Sequence, residues 1–414
     1  MKNSWLVCAL LAALAPWTTA ADAPKLEYAV ILSRHGVRSP TWEPGRLNEY
    51  SVAPWPRWGV APGELTPHGR KLIELLGAYY RQRFLHDRLL NDGTCGDTPR
   101  LFIWADTDHR TLETGHGFAD SILPGCGVPV HSAASGTKDA IFGGLGTVDL
   151  QAAAQEVLAR LGPHPEQAVG PYRAALTKLQ FILDGGRHPA KALDTSAFGV
   201  SEGNKALELR GPLATASTLS ENLLLEYAEG MSGANLGWGR LSKSDLLDIL
   251  RLHVFYADLM RRTPALARAR GSNLVAHILA SLTQAASGTA VAGAIGPPGT
   301  SVLILAGHDT NQSNISGMLD LAWKLPDYPQ DDTPPGGALI FTLWRGSGGE
   351  RSVRIEYLAA SLDQMHDVTP LTLAEPPAST PVLLKGCASS ACTWQEFGQV
   401  LNERIDASAV DLRR

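Results

Sequence analysis

Residues 27–41 read EYAVILSRHGVRSPT. An apolar, β-prone run, Tyr28 to Ser33, passes directly into Arg34, His35, Gly36 and, two residues on, Arg38. Such a run bounded by a turn-like glycine is the pattern of a buried strand. A histidine set among arginines resists protonation, which leaves a neutral imidazole able to act as nucleophile or base. The arginines are planar forks suited to an oxyanion. By composition an Arg-His-Gly is expected about 0.07 times in a chain of this kind, so the tripeptide alone is weak; with the added Arg and Pro the expectation falls to roughly 3 in 10,000.

Two more runs repeat the pattern. LFIWA (101–105) leads into DTDHR, with His109 and Arg110, and SVLILA (301–306) leads into GHDTN, with His308 and Asp309. Each precedes a helical stretch, the former capped by Thr107 or Asp108. In parallel sheets ligands gather outside the carboxyl ends of strands, where helix N-termini also point. Three distant segments can thus converge on one anion. LTPHGRKLIELLGAYYRQRF (65–84) adds an amphipathic helix with Thr66 as N-cap, Pro67 at its first position and Leu72, Leu75, Leu76 and Tyr79 on one face. Residues 337–345 and 351–358 read as a hairpin around GSGGE.

Between 149 and 261 the period becomes helical throughout. The expected architecture is therefore an α/β domain, 22–148 with 262–414, three-layered around a mostly parallel sheet and interrupted by an all-helical domain over 149–261. The Ala-, Gly- and Ser-rich stretch 280–299 reads as a loop or linker.

The bulk numbers are those of a globular protein. The chain has 414 residues, 44% apolar and 19% charged, with net charge −5. It has no basic stripe for nucleic acid, so anion binding must be local. Lys2, the apolar WLVCALLAALAPW and the small-residue TTAA form a cleavable export signal over 1–21, too short for a membrane anchor. A periplasmic or secreted monomer without membrane or nucleic-acid partners is expected. Cys8 leaves with the signal. Cys95, Cys126, Cys387 and Cys392 remain, an even number that reads as disulfides with three possible pairings. No zinc-type spacing occurs.

RHGVRSPT, LTPHG, DTDHRTLETG and AGHDTN together resemble the histidine acid phosphatases, branch 2 of the histidine phosphatase superfamily, and most nearly the bacterial periplasmic phytase-like and glucose-1-phosphatase-like members. WGRLSKSD, RRTPALARAR and DDTPPGGALIFTLWR extend the resemblance along the mature chain. It implies an α/β domain with a helical insertion, and phosphate monoesters such as phytate and sugar phosphates as substrates. It implies His35 as the nucleophile that becomes phosphohistidine, Asp309 as proton donor, and Arg34, Arg38, Arg110 and His308 as the phosphate cradle. Thr41 then lines the pocket mouth, while Thr218, Glu221, His253 and Arg270 face the rest of the substrate. The pairs Cys95–Cys126 and Cys387–Cys392 are implied as well. Trp42 stands where phytase-like relatives carry Lys, and Thr218 replaces a larger side chain; a rim charge is expected to give way to an apolar face that suits simpler monoesters.

The chemistry is consistent without the family. Phosphoryl transfer needs an in-line nucleophile, cations on the equatorial oxygens and an acid for the leaving group. His35, the arginines and a protonated Asp309 supply these, with an acidic optimum and no metal or other cofactor. A sugar-phosphate specialist differs only in the pocket walls. Export argues against a mutase, and a non-catalytic phospho-ligand binder has no need of both His35 and Asp309.

Overall fold

A computed structural model describes residues 23–164, 167–193, 199–202 and 207–413. The expected export signal lies outside them. The strands are β1 (Lys25–Arg34), β2 (Leu101–Ala105), β3 (Val130–His131), β4 (Gly199–Glu202), β5 (Leu207–Arg210), β6 (Val302–Gly307), β7 (Ala338–Arg345), β8 (Arg351–Ala359), β9 (Ala378–Val382) and β10 (Ala391–Thr393). All but β4 and β5 form one sheet, ordered β10-β8-β7-β1-β6-β2-β3, with β9 also paired to β8. β1, β6, β2 and β3 are mutually parallel, and β7 turns back antiparallel to β1. β8 then runs with β1 again, so the sheet is mixed but predominantly parallel.

β1 and β6 lie at its centre, and both are apolar without alternation because helices cover both faces. Val30, Ile31, Leu32, Val302, Leu303, Ile304 and Leu305 are fully buried. Helices Pro67–His86 and His109–Ile122 pack together in one layer; Pro264–Ser287, Asp309–Leu319 and Trp394–Arg404 form the other. Thr66 caps the first of these helices, its Oγ1 accepting the Gly69 amide at 2.8 Å. Ile73, Tyr80 and Phe84 join Leu72, Leu76 and Tyr79 on its buried face, while Leu75 is half-buried.

Register is what positions the site. Arg34 lies opposite Gly307 and Ala105 opposite Ala306, so the ends of β1, β6 and β2 are level. The His35 amide donates to the Gly307 carbonyl at 2.9 Å and the Asp106 amide to Ala306 at 3.0 Å. Ladder hydrogen bonds thus continue one residue past the strands and place three charged segments in a row.

Helices Leu150–Leu161, Arg173–Asp184, Leu213–Ala228 and Lys243–Met260 lie in 149–261, the stretch expected to interrupt the α/β domain. It is not wholly helical: β4 and β5 pair antiparallel within it. Their four-residue strands are too short for a period of two to stand out, although Leu207 and Leu209 are buried and Glu208 is exposed. Nor does a loop begin at 280. The helix from Pro264 runs on to Ser287, because alanines are strong helix formers, and stops at Gly288, whose φ of +72° suits a left-handed cap. Both disulfides join the cysteines the resemblance pairs. With separations of 31 and 5 residues, they contribute about 3–4 and about 2 kcal/mol in the chain-entropy account. Among the described residues no helix is long and apolar enough to cross a membrane.

Candidate active site

His35 sits just beyond the end of β1, 2% exposed. Its Nδ1 lies 2.8 Å from the Gly36 carbonyl oxygen. A carbonyl only accepts, so Nδ1 carries the proton and Nε2 keeps its lone pair. Burial first, then Arg34 and Arg38, pushes this imidazole well below its ordinary value. The neutral, nucleophilic form of His35 is thus favoured. Gly36 is required by close packing, since a β-carbon there would lie 2.8 Å from Ile73 and 2.9 Å from the Gly69 carbonyl.

Three guanidinium groups surround the ring. Arg34 is fully buried, with Nη1 donating to the Thr333 carbonyl at 2.6 Å and Nη2 paired with Glu221 Oε1. Arg38 Nη2 lies 3.3 Å from the other Glu221 oxygen. Arg110, in the first turn of its helix, is anchored by Asp108 at 2.6 Å. In all three the Nε–H is buried and has no protein partner. Buried donors are costly to leave unmet, and the three guanidinium groups that bear them all act on the His35 imidazole, a set that could take an oxyanion.

His308, expected in the cradle, stands beside His35, its ring 5.5 Å away in an edge-on arrangement. Its Nε2 donates to Asp106 at 3.0 Å, which orients the ring. Burial alone would raise the Asp106 carboxyl, but the His308 hydrogen bond and the Thr107 amide outweigh it and hold it low. Asp309 begins the next helix, 8% exposed. Its Oδ1 accepts the Thr310 amide at 2.9 Å and its Oδ2 is ion-paired with Arg261. Burial raises this carboxyl too, yet Arg261 and Arg34 hold it well below the usual carboxylate range.

Among the wall residues, Glu221 and His253 come closest. Glu221 braces Arg34 and Arg38 together and is held at about 2 by them, against the effect of burial. His253 Nδ1 meets Ser217 Oγ at 3.0 Å, and its buried Nε2 points at Asp309 Oδ2 from 3.8 Å. Glu221, His253 and Asp309 cluster within cation-binding distance, but both carboxylates already have arginine partners. Thr218 and Arg270 form no hydrogen bond to the cradle among the described residues. Thr218 Oγ1 bonds the Ala214 carbonyl at 3.2 Å, and Arg270 reaches the Met260 carbonyl at 3.5 Å. Thr41, expected at the mouth, is exposed, and its methyl group and Arg110 Nη1 both flank Gly63. Trp42 is half-buried, and the Arg46 guanidinium lies 3.6 Å over its ring. The expected bare apolar face is therefore covered, and by a charge.

His109 is exposed and takes no part. Asp106, Asp108, Arg261 and Thr333 were not among the sequence candidates. The two aspartates lie within the quoted DTDHR, and their alternation with Arg110 was a readable signal. Arg261 carried none beyond its place in RRTPALARAR.

A parallel-sheet carboxyl edge with a neutral histidine, convergent arginines and a buried aspartate defines a phosphoryl-transfer site. The family model of the histidine phosphatase superfamily (branch 2) matches residues 25–165 and 212–357. Phytase AppA of Escherichia coli strain K12 is 37% identical over 412 residues, 93% of this chain and 94% of that protein. A glucose-1-phosphatase of Salmonella typhimurium is 28% identical over 97% of this chain and 99% of its own. The solved structure of Hafnia alvei phytase in complex with tartrate superposes with a TM-score of 0.86 at 32% identity, covering 94% of this chain and 99% of that one. The chain belongs to branch 2 of the histidine phosphatase superfamily, and it is a phosphomonoester hydrolase.

Proposed function

We propose that the protein is an exported acid phosphatase working through phosphohistidine, with His35 as nucleophile and Asp309 as the group that protonates the leaving oxygen. The observation that supports this reading is His35 Nδ1 against the Gly36 carbonyl, which leaves Nε2 its lone pair, beside three arginines whose buried Nε–H groups have no protein partner. In the first half-reaction Nε2 forms the N–P bond as the ester P–O bond breaks. Arg34, Arg38, Arg110 and His308 hold the equatorial oxygens, where fixed cations act most strongly on developing charge. In the second, water attacks phosphorus, the N–P bond breaks and phosphate leaves.

We read residues 149–261 as the insertion that walls the substrate side, and 1–21 as the export signal. The substrates we assign are inositol polyphosphates and sugar phosphates, as the names of the phytase and glucose-1-phosphatase relatives suggest. Arg46 over Trp42 supports retention of the inositol polyphosphates, because it keeps a cation at the rim. The test is to denature the enzyme in alkali during turnover of a ³²P-labelled ester. A base-stable, acid-labile adduct on the peptide containing His35 is expected; an acid-stable adduct, or none, overturns the mechanism.

A further inference from the structure

Asp309 presents a difficulty for the proton step. A group that protonates a leaving oxygen must hold a proton, yet both oxygens of this carboxylate are engaged by donors. Oδ1 accepts its own helix amide at Thr310, and Oδ2 is clasped by Arg261. Arg261 is the residue that ends helix Lys243–Met260, its side chain 16% exposed. Behind it the buried, otherwise unpartnered His253 Nε2 faces the same Oδ2.

We propose that Arg261 is a positioning residue of this reaction, holding Asp309 as a carboxylate in the resting enzyme so that the proton given to the leaving oxygen is one the phosphate ester carries in. This rests on the phosphohistidine reading above. Alkyl phosphates lose their second proton near pH ~6, so at acid pH the ester arrives as a monoanion. The arginine cradle favours the phosphoryl dianion, and the displaced proton goes to Asp309 Oδ2, the oxygen not tied to its own helix. As His35 Nε2 bonds phosphorus and the P–O bond breaks, that proton passes to the leaving oxygen. The alcohol departs neutral, Asp309 is a carboxylate again, and the enzyme retains a phosphohistidine whose Nδ1–H still faces Gly36. No proton is gained or lost overall.

The surroundings of Asp309 are mixed. Arg261 and His253 face it from one helix and its end, and Glu221 from another. Arg34 and Arg38 approach from the β1 edge, and Asp332 and Tyr357 from the loop before β7 and from β8. Glu221 opposes the carboxylate form, burial raises Asp332 to about 7 so that it adds no charge in acid, and Arg34 and Arg38 are already engaged by Glu221. Among the described residues Arg261 makes its ion pair with Asp309.

The experiment is the pH profile of kcat/KM for wild type, Arg261→Gln and Arg261→Lys on glucose 1-phosphate and p-nitrophenyl phosphate. With Asp309 released, its protonation in the free enzyme cuts activity at higher pH. The acid limb of Arg261→Gln should move up by about one pH unit or more, while the alkaline limb stays where the ester's own ionisation sets it. Arg261→Lys keeps the charge and should shift by less than half as much. In wild type, which needs no variant to fold, the alkaline limb should lie lower for the more acidic aryl phosphate. An unmoved acid limb in Arg261→Gln, or one alkaline limb shared by both esters, overturns the proposal. The alkali-stable adduct on His35 should form in all three proteins. Its absence from wild type defeats the phosphohistidine reading instead, so the two failures are distinguishable.

Discussion

The cradle and the wall of this site are built on different principles. The cradle comes from three level strand ends, where the backbone register fixes Arg34, His35, Asp106 and His308 before any side chain packs. The wall comes from helices, and Glu221, His253 and Arg261 reach the centre only because Leu213–Ala228 packs against Lys243–Met260. Strand ends place chemistry with short contiguous motifs. Helices place it one residue at a time, far apart in sequence. The cradle should therefore be rigid and intolerant of change, and the wall a place where charge and specificity are tuned.

The sharpest way to break the comparison is inside the cradle. His35→Ala should lower kcat by at least about 10⁴-fold with the fold intact, because it removes the imidazole proposed as nucleophile. Steady-state turnover with circular dichroism checks this. Residual activity within 100-fold of wild type would mean that the cradle acts on water directly.

Asp309 stands where the cradle meets the wall. Asp309→Asn should cost about 10²–10⁴-fold on sugar phosphates, whose alkoxide needs a proton, and at most about tenfold on p-nitrophenyl phosphate, whose phenolate leaves unaided. Equal losses on both would assign Asp309 a purely structural part.

How much was legible follows the same division. RHGVR, DHR and GHD announced the cradle because strand, turn and charge sit within a few residues, and their convergence followed from parallel-sheet geometry. Arg261 was not legible. An arginine closing a helix is usually a surface cation, and only tertiary packing sets it against Asp309. The β4–β5 hairpin was hidden by its length, and the last turns before Ser287 by small side chains with little period. Trp42 was found, but not its partner four residues on, because a cation over a ring depends on a helical turn at Pro44–Leu47 that nothing in the composition signals.

The wall's interior gives a third test, on stability. Glu226 is fully buried on the same helix as Glu221, with Oε2 accepting the Gly237 amide at 2.9 Å and Oε1 unpartnered. Burial raises its carboxyl to about 8, with the Gly237 hydrogen bond opposing only in part. Between about 4.3, the ordinary glutamate value, and about 8 the folded chain holds a proton there that the unfolded chain does not. Stability from this group is therefore full in acid and declines as pH rises through that window. Glu226→Gln should leave the denaturation midpoint at pH 4 nearly unchanged and stabilise the protein by a few kcal/mol at pH 8. Urea titrations at the two pH values read it directly; a shift equal at both would place the effect in packing rather than in the proton.

The smallest expected effect lies at the rim. Thr41 and Arg110 both flank Gly63, Trp42 follows Thr41 in the chain, and we propose that a multiply phosphorylated substrate extends from the cradle past it. Arg46 lies over that ring, a contact worth about 0.5–1 kcal/mol at an exposed site. Tyr50 lies on the same rim, 6.0 Å from Trp42 between ring centres, and Lys191 lies 6.0 Å from the Tyr50 ring. The indole thus acts as a platform that holds a guanidinium, and a lysine at position 42 would add little charge that Arg46 does not already provide. Arg46→Ala should lower kcat/KM for phytate by about two- to fivefold, with the loss shrinking as salt rises. It should leave glucose 1-phosphate unchanged, because one phosphate reaches only the cradle. Trp42→Ala should mimic it by freeing Arg46, and Trp42→Lys should change the phytate-to-glucose-1-phosphate ratio by less than twofold. A several-fold gain for Trp42→Lys would show that the indole blocks the rim rather than charging it, and the wall would then exclude inositol phosphates by shape.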